Sequence, residues 1–142
     1  MSALPKHILL VDDDPEIIKL VKFYLSGARF KITAVQNGHS ALAALKKDKF
    51  DLMIVDRLMP RMDGITLVTK LKIELNYDGL IIMMSAHDHE DKKLLDIYDH
   101  IFDIVPKPFT ANRLKLTIRN ALNLKKMQDK YFTLINTVIN DE

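Results

Sequence analysis

Short apolar runs alternate with stretches of helical period along most of this chain. His7–Val11 is the first apolar run, and Asp14-Pro15 after it has the chemistry of an N-cap followed by a first helical residue. Ile17, Ile18, Val21, Tyr24 and Leu25 then recur at spacings of three and four, which predicts a helix that Gly27 ends. Phe30–Val35 reads as a second strand, closed by Asn37-Gly38, and Ala41, Leu42 and Leu45 mark a helix reaching to about Lys47. Leu52–Val55 is a third strand, apolar throughout as in a parallel sheet covered on both faces. Pro60 blocks further pairing, and Asp63-Gly64 opens a helix with Asp63 as its cap. Ile65, Val68, Leu71, Lys72 and Leu75 continue it, with a break from Asn76 to Gly79. Leu80–Met84 is the fourth strand, ending at Ser85-Ala86. The polar segment from His87 to Lys93 leads into a helix through Leu94, Leu95 and Tyr98. Ile101–Val105 is the fifth strand, stopped by Pro106-Lys107-Pro108-Phe109.

Five βα units with nearly continuous apolar strands predict an α/β fold, a doubly wound parallel sheet with helices on both faces. Pattern alone does not fix the strand order. The order 2-1-3-4-5 is favoured because it sets the ends of strands one and three side by side at the switch point, and those ends carry Asp12-Asp13 and Asp56.

Beyond Thr110, which can cap a last helix, Leu114, Ile118 and Ala121 suffice to cover the sheet. Apolar positions nevertheless continue through Leu124, Met127, Tyr131, Leu134 and Val138 at alternating steps of three and four. The expected division is therefore residues 1–122 as a domain and 123–142 as a helical extension or linker. That seam predicts pairing with a second copy or a path to an output domain; a frayed polar tail is the alternative.

Composition narrows the class. There are 142 residues, enough for one ordinary domain, and no cysteine, which fits a reducing cytoplasm and excludes thiolate metal sites. The amino terminus runs quickly into acidic residues and does not read as a signal peptide. No apolar run is long enough to span a bilayer. With 21 basic and 19 acidic residues and no basic cluster, nothing signals a nucleic-acid surface.

The chemistry gathers at the strand ends: Asp12 and Asp13 after the first, Asp56 after the third, Ser85 after the fourth and Lys107 after the fifth. Three close carboxylates repel, and a hard divalent cation such as Mg²⁺ with all-oxygen ligands relieves that cost. Lys107 and Ser85 are donors suited to phosphoryl oxygens, and one carboxylate can attack phosphorus as in aspartyl-phosphate chemistry. Asp56, singly placed at the centre, is the expected nucleophile, although an Asp there could merely cap the strand-to-loop turn. His7, His39, His89 and His100 are expected at the surface, whereas His87, two residues past Ser85, could brush the site.

The segments ILLVDDDP, VDRLMPRMDG, MSA and PKPF, in that order and spacing between Lys6 and Ala121, resemble the receiver domains of two-component response regulators. The resemblance implies a flavodoxin-like fold, with Asp56 as phosphoacceptor for a sensor histidine kinase or phosphotransfer protein. It implies Asp13, Asp56 and the backbone carbonyl of Leu58 as direct Mg²⁺ ligands, with Asp12 holding the metal through water. Ser85 and Lys107 would meet the phosphoryl group, Ala86 would leave it room, and the Lys107–Pro108 bond would be cis. Ile104 stands where the family often has a switching Tyr or Phe, and Asp99-His100-Ile101 replaces the usual Gly-Ala. Such a domain is a switch rather than an enzyme acting on a free metabolite. A Mg²⁺-dependent phosphohydrolase is the alternative from another class, but no cap insertion is present and Leu58 occupies the place of its second acid. A degenerate receiver serving only as an interaction module would be expected to lack an acid or the lysine, and neither is missing.

Overall fold

A computed structural model describes residues 4–27, 29–86 and 92–141. Five strands, β1 (Lys6–Val11), β2 (Phe30–Val35), β3 (Leu52–Asp56), β4 (Ile81–Ser85) and β5 (Asp103–Pro106), form one parallel sheet in the order 2-1-3-4-5. Helices α1 (Pro15–Tyr24), α2 (Gly38–Lys47), α3 (Gly64–Thr69), α4 (Lys92–Ile97) and α5 (Ala111–Asn140) cover it.

The caps form where small polar side chains precede each helix. Asp14 accepts from the backbone N–H of Glu16, Asn37 from Ser40, Asp63 from Thr66 and Thr110 from Arg113. Alternation along the strands divides the core in two. Leu9, Val11, Met53, Val55 and Met83 face one side with Ala41, Leu67, Leu71 and Leu94. Ile8, Leu10, Leu52, Ile54 and Met84 face the other with Val21, Leu114 and Ile118.

Several expectations are corrected. β4 runs from Ile81 to Ser85 rather than from Leu80, and β5 begins at Asp103 rather than Ile101. Ile101 is held outside the sheet because its N–H turns back to Tyr98 O at 3.4 Å, closing a 3-10 turn over Tyr98–His100. The third helix does not continue regularly to Leu75. Lys70–Glu74 is wound as a π turn, which leaves Ile73 and Leu75 exposed. On α4, Leu94 and Ile97 face the core while Leu95 points outward, and Tyr98 falls beyond the helix in the 3-10 turn, where it is exposed. His7 is not a plain surface residue. It is half-buried, its Nε2 lies 2.7 Å from Thr33 Oγ1, and its ring stands 4.3 Å from that of Phe50. His39 and His100 are exposed as expected, and His87 and His89 lie outside the described residues.

Candidate functional site

Strand register assembles the site. Val11 is paired with Val55, so Asp12 and Asp56 emerge from neighbouring strands side by side. Asp56 is paired with Met84 and Ser85 with Pro106, so Ser85 and Lys107 come next in adjacent strands. Two main-chain bonds lock this edge, from Arg57 N to Met84 O at 2.9 Å and from Lys107 N to Ser85 O at 2.8 Å. The Lys107–Pro108 bond is cis, and Phe109 is buried with its ring edge-on to Tyr24.

Asp12 is fully buried, Asp56 and Ser85 are nearly so, and Asp13 is exposed. One carboxylate oxygen from each of Asp12, Asp13 and Asp56 lies within 4.8 Å of the others. Lys107 Nζ stands 2.9 Å from Asp56 Oδ1 and 3.2 Å from Asp12 Oδ2. The remaining Asp12 oxygen accepts from Asp14 N at 2.9 Å. Burial pushes the Asp12 carboxyl up, against the pull of Asp14 N–H and Lys107. Burial also pushes Asp56 up, and the charges of Asp12 and Asp13 add to it. Burial opposes the charge on Lys107, but its bond to Asp56 and the charge of Asp12 outweigh that and raise its pKa. One ammonium therefore serves two buried carboxylates, and a third acid stands at the mouth. Two carboxylates strained upward beside a third make a donor set that fits a hard divalent cation.

Leu58 is exposed on the loop after β3, Ala86 is exposed beyond β4, and Ile104 is buried on the α4 side of the sheet. Sequence reasoning missed two supports. The pattern marks Gly64 only as the opening of a helix, but a Cβ there would lie 2.3 Å from Asp56 O and 3.0 Å from Arg57 Cα. Gly64→Ala is expected to push the β3 end aside and lower stability by about 1–3 kcal/mol, read by denaturant unfolding; wild-type stability would contradict this. The second is Arg113, whose guanidinium reaches Asp103 Oδ2 at 3.5 Å, Thr117 Oγ1 at 2.6 Å and Ile104 O at 3.3 Å, tying α5 to β5. The i, i+4 spacing of Arg113 and Thr117 is its only trace in the sequence.

An acidic cluster at the carboxyl edge of a 2-1-3-4-5 sheet defines the class, a flavodoxin-like α/β domain with a cation-binding type of site at its switch point. The chain belongs to the response regulator receiver domain family, whose family model matches residues 8–119. It is a receiver domain of two-component signalling. It is 29% identical over 140 residues to the response regulator GtcR of Aneurinibacillus migulanus, covering 96% of this chain and 57% of that protein. It is 32% identical over 127 residues to the C4-dicarboxylate transport transcriptional regulatory protein DctD of Rhizobium meliloti (strain 1021), covering 89% of this chain and 27% of that protein. The crystal structure of a response regulator receiver domain protein from Clostridium thermocellum superposes with a TM-score of 0.77 at 26% identity, covering 87% of this chain and 98% of that one. The chain thus spans only part of the length of these curated relatives. Among the described residues, no helix is long and apolar enough to cross a membrane.

Proposed function

We propose that residues 1–122 accept a phosphoryl group on Asp56 from the phosphohistidine of a sensor histidine kinase or phosphotransfer protein, in the cytoplasm. The observation that carries this is the contact of Lys107 Nζ with Asp56 Oδ1, beside the cluster of Asp12 and Asp13. Lys107 occupies Oδ1, so Oδ2 attacks phosphorus; an O–P bond forms, the donor's P–N bond breaks with its electron pair going to the ring nitrogen, and the donor ring, already protonated at its other nitrogen, leaves as neutral imidazole. Lys107 and the Ser85 hydroxyl then donate to the phosphoryl oxygens. Asp13, Asp56 and the Leu58 carbonyl would hold Mg²⁺ directly and Asp12 through water. When bound, the ion neutralises charge that develops on the phosphoryl oxygens. The only catalysis in this reading is the domain's own phosphorylation and dephosphorylation. Incubation with acetyl phosphate and Mg²⁺ is expected to add the mass of one phosphoryl group, and an unchanged mass would overturn the proposal.

The metal assignment carries its own expected outcome. Asp13→Ala is expected to weaken Mg²⁺ affinity at least about tenfold, since the site has few protein ligands. Asp12→Ala should weaken it less, its contact being through water. Mg²⁺ or Mn²⁺ titration decides this, and equal affinities for wild type and Asp13→Ala would count against the site.

The switch surface in this reading is the face of α4 and α5, where Leu95, Tyr98 and Leu116 are exposed. Ile104, buried among Leu94, Ile97 and Ile101, takes the place of an aromatic switch. Residues 123–142 would serve as a helical extension leading to an output domain or pairing with a second copy, in keeping with relatives named as transcriptional regulatory proteins.

A further inference from the structure

The last half of α5 leaves the sheet and carries an apolar face that the domain does not cover. The last buried residue of the helix is Ala121. Beyond it Met127, Tyr131, Phe132, Leu134, Val138 and Ile139 are between 59% and 67% exposed. At about 100° per residue, every large apolar side chain from Leu124 to Ile139 falls within an arc of about 160°. Gln128 is the only polar residue within that arc. The opposite side, including Lys126, Asp129 and Thr133, lines a groove of about 530 Å³ against Lys6 and Asp51, with Leu122 and Leu134 at its edges. Most of the apolar side therefore faces away from the domain, with Leu134 at the border of the groove.

Charge along the extension is polarised. Residues 123–130 carry Lys125, Lys126 and Lys130 against Asp129, a net +2, whereas residues 131–142 carry only Asp141 and Glu142, a net −2. Two copies side by side in parallel would set like ends together. Reversed, each basic segment meets an acidic one. The steps of three and four permit the reversed register: Met127 falls opposite Val138 and Tyr131 opposite Leu134, while Asp141 reaches Leu124 between Lys125 and Asn123. The six exposed apolar side chains, two of them aromatic, offer on the order of 700 Å², close to the roughly 800 Å² each partner contributes to an interface of standard size.

We propose that the occupant of this face is a second copy of the chain, with the two extensions paired antiparallel. The pairing rests on self-association through the extension and is independent of the phosphoacceptor reading. In the dimer the acidic end of each helix lies beside the basic segment 123–130 of the other copy, and the two Asp56 sites lie at opposite ends of the assembly.

The chain has no cysteine, so single cysteines report the orientation. Met127→Cys mixed with Val138→Cys is expected to give a disulfide-linked dimer on oxidation, at least about tenfold faster than either variant alone. Efficient linkage of Met127→Cys to itself would mean parallel helices and overturn the proposal. Sedimentation of the full 142-residue protein over a range of concentrations tests association itself, with Tyr131→Glu/Leu134→Glu as the dissociated control. A wild-type monomer throughout overturns it, as does flotation of a monomer with phosphatidylcholine–phosphatidylglycerol vesicles. Lys125→Glu/Lys126→Glu is expected to raise the dimer dissociation constant about tenfold, and Asp141→Lys/Glu142→Lys in the same chain to restore it. In a parallel pair the first variant would only exchange a +2/+2 contact for a −2/−2 one, so a dissociation constant unchanged by Lys125→Glu/Lys126→Glu would overturn the antiparallel arrangement.

Discussion

Asp56→Asn is expected to take up no phosphoryl group from acetyl phosphate, while the fold stays intact. Asparagine keeps the shape and still offers Oδ1 to Lys107, which stands 2.9 Å from that position, but it has no anionic oxygen to attack phosphorus. Stability should not suffer. A carboxylate whose folded pKa is raised is less comfortable ionised in the fold than in the unfolded chain, so above the ordinary carboxylate range Asp56 subtracts from stability. Removing its charge lifts that burden, although Lys107 is left with Asp12 as its one ionic partner. The melting temperature is expected to stay within about 5 °C of wild type. Intact-mass measurement decides the chemistry, and labelling of the variant at the wild-type rate would move the acceptor elsewhere.

Lys107→Ala should separate phosphoryl transfer from metal binding. It removes the ammonium that bridges Asp12 and Asp56, leaving two buried carboxylates facing each other and Asp13. Phosphoryl uptake is expected to fall about 10²–10³-fold, the usual consequence of losing one preorganised donor at a developing charge. The apo protein should lose about 1–3 kcal/mol of stability, less than for a fully enclosed pair because Lys107 retains some solvent access. Mg²⁺ should restore part of that loss and raise the melting temperature more than in wild type, since the cation meets less competing positive charge. Uptake within about threefold of wild type would remove Lys107 from the proposed chemistry.

The carboxyl edge was legible because each of its residues lies at the end of an apolar strand or within two residues of it. Val11, Val55, Met84 and Val105 are unmistakable core positions, and parallel register carries the polar residues next to them in the chain to a common rim. The caps at Asp14, Asp63 and Thr110 were readable for a similar reason, since capping is local chemistry, whereas Asn37 read only as the close of a strand. The features that failed to show were decided over distance. Ile101 and Phe102 are as apolar as any strand, yet the turn closed by Tyr98 O keeps Ile101 out of the sheet. The π turn at Lys70–Glu74 accompanies a contact of Lys72 Nζ with Gly79 O that no periodicity anticipates. His7 is drawn inward by Thr33 and Phe50, both remote in sequence, and Gly64 is required by the approach of another segment's carbonyl.

The unbroken course of α5 has a mechanical consequence. From Ala111 to Asn140 the helix contains neither glycine nor proline, so the part fixed on the sheet by Leu114 and Ile118 and the part beyond Ala121 form a single rod. The free length from Leu122 to Asn140 is about 27 Å, and a tilt of about 10° at the sheet would carry the far end through about 5 Å, nearly one helical turn. Arg113 fastens the near end of that rod to Asp103 and the Ile104 carbonyl, a few residues before Lys107 in the chain. Movement of β5 too small to disturb the core would thus become, at Val138, a displacement large enough to change which side chains meet.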